Sequence, residues 1–134
     1  KKAIKLAYKA HKDQYDKAGV PYINHPLHLA ESMDDEYTTI AALLHDVVED
    51  TNITLDDLAK EFPKEVIDAL KLLTHHKGVP YMDYVAKIKT NDIAKAVKIA
   101  DLKHNSDLTR LDNITDKDLE RVKKYQEALE LLKD

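Results

Sequence analysis

The chain has 134 residues, 21 basic and 25 acidic, for a formal charge of −4, with no cysteine and no tryptophan. That length predicts one domain, 1–134, large enough to bury a core without staples, and the missing thiols exclude a disulfide scaffold, a zinc ribbon and a cysteine nucleophile. Only Arg110 and Arg121 are arginines and no basic stripe is present, so no nucleic-acid partner is expected.

Two Gly and four Pro in a chain rich in Lys, Glu, Asp, Leu and Ala predict an all-α fold, a single compact bundle of about eight helices. Ile4, Ala7, Tyr8 and Tyr15 mark a first amphipathic helix, with Gly19 as its stop near Ala18. Pro26 biases His25 toward extended backbone and opens a second helix that reaches Met33. Tyr37 to Val48 predicts a strongly apolar helix ending in Glu49-Asp50-Thr51. Thr54 is expected to cap a short helix, Leu55 to Phe62, and Pro63 to open another as far as His75. His75 to Pro80 reads as a turn. Tyr81 to Lys89 and Ile93 to Leu111 follow as helices, the second capped by Asp92, and a last one spans Asp116 to Leu132 behind Thr115. Apolar runs such as Thr38 to Leu44 are far too short to cross a membrane. Without a signal peptide the expected compartment is the cytoplasm.

As a dipeptide, His45-Asp46 carries little weight in a chain this rich in His and Asp; its setting matters more. Along a helix Glu49 lies one turn beyond His45, and Asp50 one turn beyond Asp46. Four polar groups then share one side of an otherwise oily helix, with three carboxylates and no cation among them. A solvated face is the plainer explanation, but such a face usually mixes in Lys or Arg. Charge at that density calls for a counter-ion, and His with Asp suits Mn, Fe or Zn. His25 can project into a cleft or simply be solvated. Asp101 and Asn105 stand one turn apart beside an apolar stripe through Ile93, Val97, Ala100, His104, Leu108 and Leu111, either as a buried pair or as part of a site. A bundle could gather His25, His45, Asp46 and Asp101 around one ion with positions left for water and a phosphate oxygen.

Asn24-His25-Pro26, then His45-Asp46-Val47-Val48-Glu49-Asp50-Thr51, then Lys98-Ile99-Ala100-Asp101 with His104-Asn105, together resemble the HD superfamily of metal-dependent phosphohydrolases. Within it the similarity is to the hydrolase domain of RelA/SpoT-type proteins and the small alarmone hydrolases. The resemblance runs from His11 through Leu111. It implies the all-helical HD-domain fold, one Mn²⁺ held by His25, His45, Asp46 and Asp101, and a Glu49-Asp50 pair that positions or activates the attacking water. It also implies that Asn105 belongs to a nucleotide pocket. The reaction implied removes the 3′-diphosphate of (p)ppGpp, giving GDP or GTP and pyrophosphate, a stringent-response activity.

The chain departs from that pattern. Asp16-Lys17 replaces an Arg-Lys pair that packs on guanine, and a carboxylate cannot stack as a guanidinium does. Ser106-Asp107-Leu108-Thr109 replaces Met-Arg-Thr-Leu. These changes fall on base and phosphate recognition and spare the ligand set. Lys17, Lys98 and Lys103 are candidate phosphate contacts, whereas His11, His28, His75 and His76 are not expected to be ligands. Tyr15 and Tyr22 could flank a base, though core packing is the simpler role. The C-terminal helix with Arg121, Lys123 and Lys124 reads as a solvated amphipathic helix. Fe, Co and Zn suit these donors as Mn does. The alternatives are a hydrolase of another nucleotide, such as a dNMP or an adenine alarmone, and a non-catalytic nucleotide-binding domain. Oligomeric state is open at this level.

Overall fold

A computed structural model describes residues 2–133; Lys1 and Asp134, the ends of the expected 1–134 domain, lie outside the described residues. Among these residues are nine α-helices and one short 3-10 turn: α1 Lys2–Ala10, α2 Asn24–Glu31, α3 Glu36–Leu44, α4 Val47–Asp50, α5 Leu55–Ala59, α6 Lys64–Leu73, α7 Tyr81–Ile88, α8 Asp92–Asn105, the turn Leu108–Arg110, and α9 Asp116–Leu132. No strand occurs among them, and no helix is long and apolar enough to cross a membrane.

The centre of the bundle is α3, packed against α1, α2, α6 and α8, while α9 closes the far side over α7 and α8. Its Ala41, Ala42 and Leu44 are fully buried. The two alanines remove side-chain bulk from the contact face, so neighbouring helices can approach closely. Leu29, Val66, Ala69, Leu70, Val85, Ile88, Val97, Leu102, Ala128 and Leu132 fill the space around it. Each of the buried Leu, Val and Ile side chains contributes about 1.5–3 kcal/mol relative to exposure.

Several expected boundaries move, for local reasons. The first helix stops at Ala10 rather than Ala18. Asp13 adopts φ 66°, which an α-helix cannot continue through, and Tyr15 is 65% exposed rather than on the core face. Asp16 Oδ1 then accepts from Ala18 N at 2.9 Å and Val20 N at 3.0 Å, an Asx-type loop in which Gly19 takes φ 80°. His25 is helical, not extended, because α2 begins at Asn24. There Pro26 occupies the first turn, whose N–H groups have no helical acceptor to lose. Asn91, not Asp92, caps α8, accepting from Ala94 N at 2.9 Å. The helix ends at Asn105, so Leu108 and Leu111 leave its apolar stripe for the 3-10 turn and its C-cap. The helix after Thr54 ends at Ala59 rather than Phe62.

The last helix has the expected limits. Thr115 accepts from Asp118 N at 3.2 Å, and Asp118 Oδ2 accepts from Thr115 N at 3.0 Å, a reciprocal capping box. Those bonds from Thr115, with Lys17 adding to them, hold the Asp118 carboxyl down to about 2. Thr115→Ala should therefore lower stability by about 1 kcal/mol in a urea titration followed by far-ultraviolet circular dichroism. The Asp118 contribution is present above the ordinary carboxyl pKa and disappears as pH falls through about 2. The stability gap between the parent and Asp118→Asn should accordingly be open at pH 6 and close towards pH 2.

Candidate metal centre and its flanking cavities

Three chain segments converge on one point. His25 comes from α2, His45 and Asp46 from the junction of α3 and α4, and Asp101 from α8. One potential ligand atom from each of His25, His45 and Asp101 lies within 4.8 Å of the other two, and all three residues are buried. His25 Nε2 is 2.8 Å from Asp101 Oδ1. His45 Nε2 is 3.6 Å from the same oxygen and 2.9 Å from Asp46 Oδ2.

The junction differs from the continuous helix that the sequence predicts over Tyr37–Val48. His45 Nδ1–H donates to Ala42 O at 2.6 Å, the carbonyl that an uninterrupted helix would offer to Asp46 N–H. The chain pauses at His45-Asp46 and resumes as α4. The interruption turns both side chains inward, and Glu49 and Asp50 end exposed at the rim instead of sharing a flat square with them.

Supporting bonds fix each donor. The Nδ1–H bond orients the ring so that the buried Nε2 of His45 faces Asp46 Oδ2 and Asp101 Oδ1. Asp101 Oδ2 accepts from Lys98 Nζ at 3.0 Å, and Asp101 Oδ1 from Asn105 Nδ2 at 2.9 Å. The Tyr22 hydroxyl donates to Asp46 Oδ2. Burial alone would raise the Asp101 pKa, but the Lys98 ammonium and the His25 and His45 rings outweigh it and hold the carboxyl well below its usual range. Burial likewise opposes a charged His45, yet Asp46 and Asp101 raise its pKa well above that of a free imidazole. The two carboxylates thus favour positive charge at the point that His45 Nε2 faces. Two imidazole nitrogens and two ionised carboxylates around one buried point fit a divalent ion of the Mn, Fe, Co or Zn kind.

Of the other expected residues, Glu49, Lys17 and Asn105 line two cavities beside this cluster, and Asp50 lines neither. Glu49 lines a small one of about 130 Å³ with His45, Asp46, Lys98 and Asp101, and its Oε1 accepts from the His75 backbone N–H. Burial and the neighbouring Asp46 and Glu49 charges raise the Asp50 carboxyl pKa. Lys17 and Asn105 line a second cavity of about 380 Å³, together with Tyr22, Arg121 and Tyr125. Asp118 holds both of its cations, Lys17 at 3.4 Å and Arg121 at 2.9 Å. A groove of about 610 Å³ lies along α2 and α8 and includes Lys103 and His28. It meets the donor cluster only through His104, so volume and chemistry do not coincide. His75 faces Tyr84 and bonds Val79 O at 2.7 Å, and His11 bonds Gln14 at 2.9 Å.

Sequence reading missed the roles of five residues. Tyr22 belongs to the Asp46 contact rather than to simple core packing. Lys98, expected against phosphate, is paired with Asp101, and His104, placed in the apolar stripe, touches His25. Both stand three residues from Asp101, a spacing that puts them on its helix face. Arg121 and Tyr125 line the second cavity instead of belonging to a purely solvated helix face; nothing local to α9 signals this.

The family model described as an HD domain matches residues 3–124. A guanosine-3′,5′-bis(diphosphate) 3′-pyrophosphohydrolase of Borreliella burgdorferi is 37% identical over 119 residues, covering 78% of this chain and 18% of that protein. A protein of the same description from Homo sapiens is 36% identical over 123 residues, covering 81% of this chain and 68% of its own length. A probable GTP pyrophosphokinase of Mycobacterium leprae is 35% identical, with 15% of its length covered. The chain therefore spans less than a fifth of the long bacterial relatives. A solved structure of a metazoan ortholog of SpoT, described as hydrolyzing ppGpp and acting in starvation responses, superposes with a TM-score of 0.77 at 26% identity over 98% of this chain and 84% of that one.

Replacing Asp101 by Asn strands the buried Lys98 cation. Asp101→Asn should cost about 3 kcal/mol in stability as well as ion binding. Adding Lys98→Met should return most of the stability and none of the binding. Denaturant titration and Mn²⁺ calorimetry read the two effects separately, and a single variant as stable as the parent would refute the buried pair.

Proposed function

The chain belongs to the HD-domain family, and on that premise we propose that it is a metal-dependent phosphohydrolase that removes the 3′-diphosphate of (p)ppGpp in the cytoplasm. The observation that carries the reading is the convergence of His25, His45 and Asp101, with Asp46 beside them, on one buried point next to the Glu49-Asp50 carboxylates. The relatives named as ppGpp pyrophosphohydrolases support the choice of substrate.

His25, His45, Asp46 and Asp101 would hold the ion, Mn²⁺ by family resemblance. Once bound, such an ion supplies an acidified water and polarises a phosphoryl oxygen. The protein's own part is positioning and proton transfer. Asp50, with its pKa raised by burial and by its acidic neighbours, takes the proton of the attacking water, since a base works best when its pKa approaches the working pH. Glu49, fastened to the His75 amide, orients that water. The water oxygen bonds to the phosphorus attached to the ribose 3′-oxygen, the P–O3′ bond breaks, and the 3′-oxygen leaves with a proton. GDP or GTP and pyrophosphate result.

The nucleoside fits the cavity lined by Tyr22, Asn105 and Tyr125, where Lys17 and Arg121 supply positive charge for its phosphates. Asp16 lines the same cavity, and its Oδ1 is engaged by the loop amides of Ala18 and Val20. This carboxylate, in place of a stacking Arg, favours a second reading: the same chemistry on a different nucleotide.

The test is release of phosphate and pyrophosphate from ppGpp, pppGpp, ppApp and common dNMPs, with Mn²⁺ and with EDTA. Pyrophosphate should appear from ppGpp with Mn²⁺ and vanish with EDTA. Turnover of ppApp or a dNMP alone would discard the guanosine substrate and keep the hydrolase. Silence across the panel would favour a non-catalytic domain. Asp50→Asn should lower kcat by about 10²–10⁴-fold while Mn²⁺ still binds.

A further inference from the structure

We infer that His104 is a positioning residue for the donor cluster: its Nδ1 holds the His25 ring in the orientation and tautomer that present His25 Nε2 to an ion. The inference rests on the metal-holding reading of His25. It starts from a contact of 2.6 Å between the Nδ1 atoms of His25 and His104. Two ring nitrogens that close must share a hydrogen bond, one donating and one accepting. The rings are inclined by only 10°, with centroids 4.9 Å apart, the arrangement of two five-membered rings joined edge to edge in nearly one plane. On its other side His104 lies against His28, at 4.3 Å and 25°, so the ring is supported from both directions.

The direction of the bond follows from the chemistry of a ligand imidazole. To offer a lone pair at Nε2, His25 must carry its proton on Nδ1, and that proton needs an acceptor. Ligand histidines usually give it to a carboxylate or a backbone carbonyl, as His45 does with Ala42 O. His25 has an imidazole instead. An imidazole can reverse its role. Without an ion, His25 Nε2–H faces Asp101 Oδ1 at 2.8 Å, and His104 Nδ1–H donates into the His25 Nδ1 lone pair. With an ion, His25 Nδ1–H donates and His104 accepts. A carbonyl could serve only the second arrangement. Because His104 and Asp101 share α8, one rigid helix sets both the ligand oxygen and the support of the opposing ring.

Three variants separate the hydrogen bond from ring packing. His104→Phe keeps a ring against His28 and removes the nitrogen. His104→Asn places an amide oxygen near the Nδ1 position. His104→Ala removes both. Mn²⁺ calorimetry on the full chain should give about 10–100-fold weaker binding for His104→Phe and His104→Ala, with His104→Asn close to the parent and helicity unchanged by circular dichroism. Phe binding like the parent, or Asn binding as weakly as Phe, would overturn the inference. Should the Phe variant fail to fold, ¹⁵N-histidine spectra of the Zn²⁺-loaded parent decide instead. His25 should carry its proton on Nδ1, and a proton on Nε2 would overturn it. A parent that binds neither Mn²⁺ nor Zn²⁺ removes the metal reading itself, whereas equal binding by parent and His104→Phe removes only the role of His104.

Discussion

The Asp101 carboxylate is the constraint on which the rest of the site depends. Four side chains from three elements reach it: Lys98 and Asn105 from its own helix, His25 from α2 and His45 from the end of α3. A buried carboxylate is costly unless its oxygens are all engaged. Here that cost is offset by one ammonium, one amide and two imidazoles. The same interactions that make the group tolerable in the interior also aim it. With Oδ2 taken by Lys98, Oδ1 is the oxygen turned toward the histidines, so charge neutralisation and geometry have one cause.

Most of the helical architecture is legible in the sequence because its signals are local. Thr115 three residues before Asp118, and Thr54 three before Asp57, announce capping boxes, and both helices start where those residues predict. Misplaced boundaries come from competition that periodicity does not register. The end of α1 depends on an Asp in a left-handed conformation, and the pause after α3 depends on an imidazole claiming a backbone carbonyl. The same distinction applies to the site. His25, His45, Asp46 and Asp101 can be picked out from residue type and spacing, and the fold gathers them. Lys98 and His104 could have been found from their spacing to Asp101. Tyr22 and Arg121 could not, since the distance between the loop at residues 11–22 and α9 is set by tertiary packing alone.

The second cavity is coupled to the donor cluster through Asn105, which lines one and bonds Asp101 in the other. Its two cations come from opposite ends of the chain. Asp118, already committed to starting α9, also holds Lys17 and Arg121. One carboxylate therefore fixes a helix origin and the placement of two cations. An anionic ligand entering this cavity would meet two cations already positioned by that carboxylate, which reduces the ordering cost of binding.

His25 and Asp101 meet although they stand 76 positions apart in the chain, with α3 to α7 looped out between them. The donor cluster acts as a clasp on a long loop. No run of consecutive helices shorter than α2–α8 contains it, so a chain leaving the ribosome has no assembled donor cluster until α8 has emerged and docked on α2. Ion capture would then wait for a nearly complete bundle, and binding free energy would be added to a fold in which α2 to α8 are already docked.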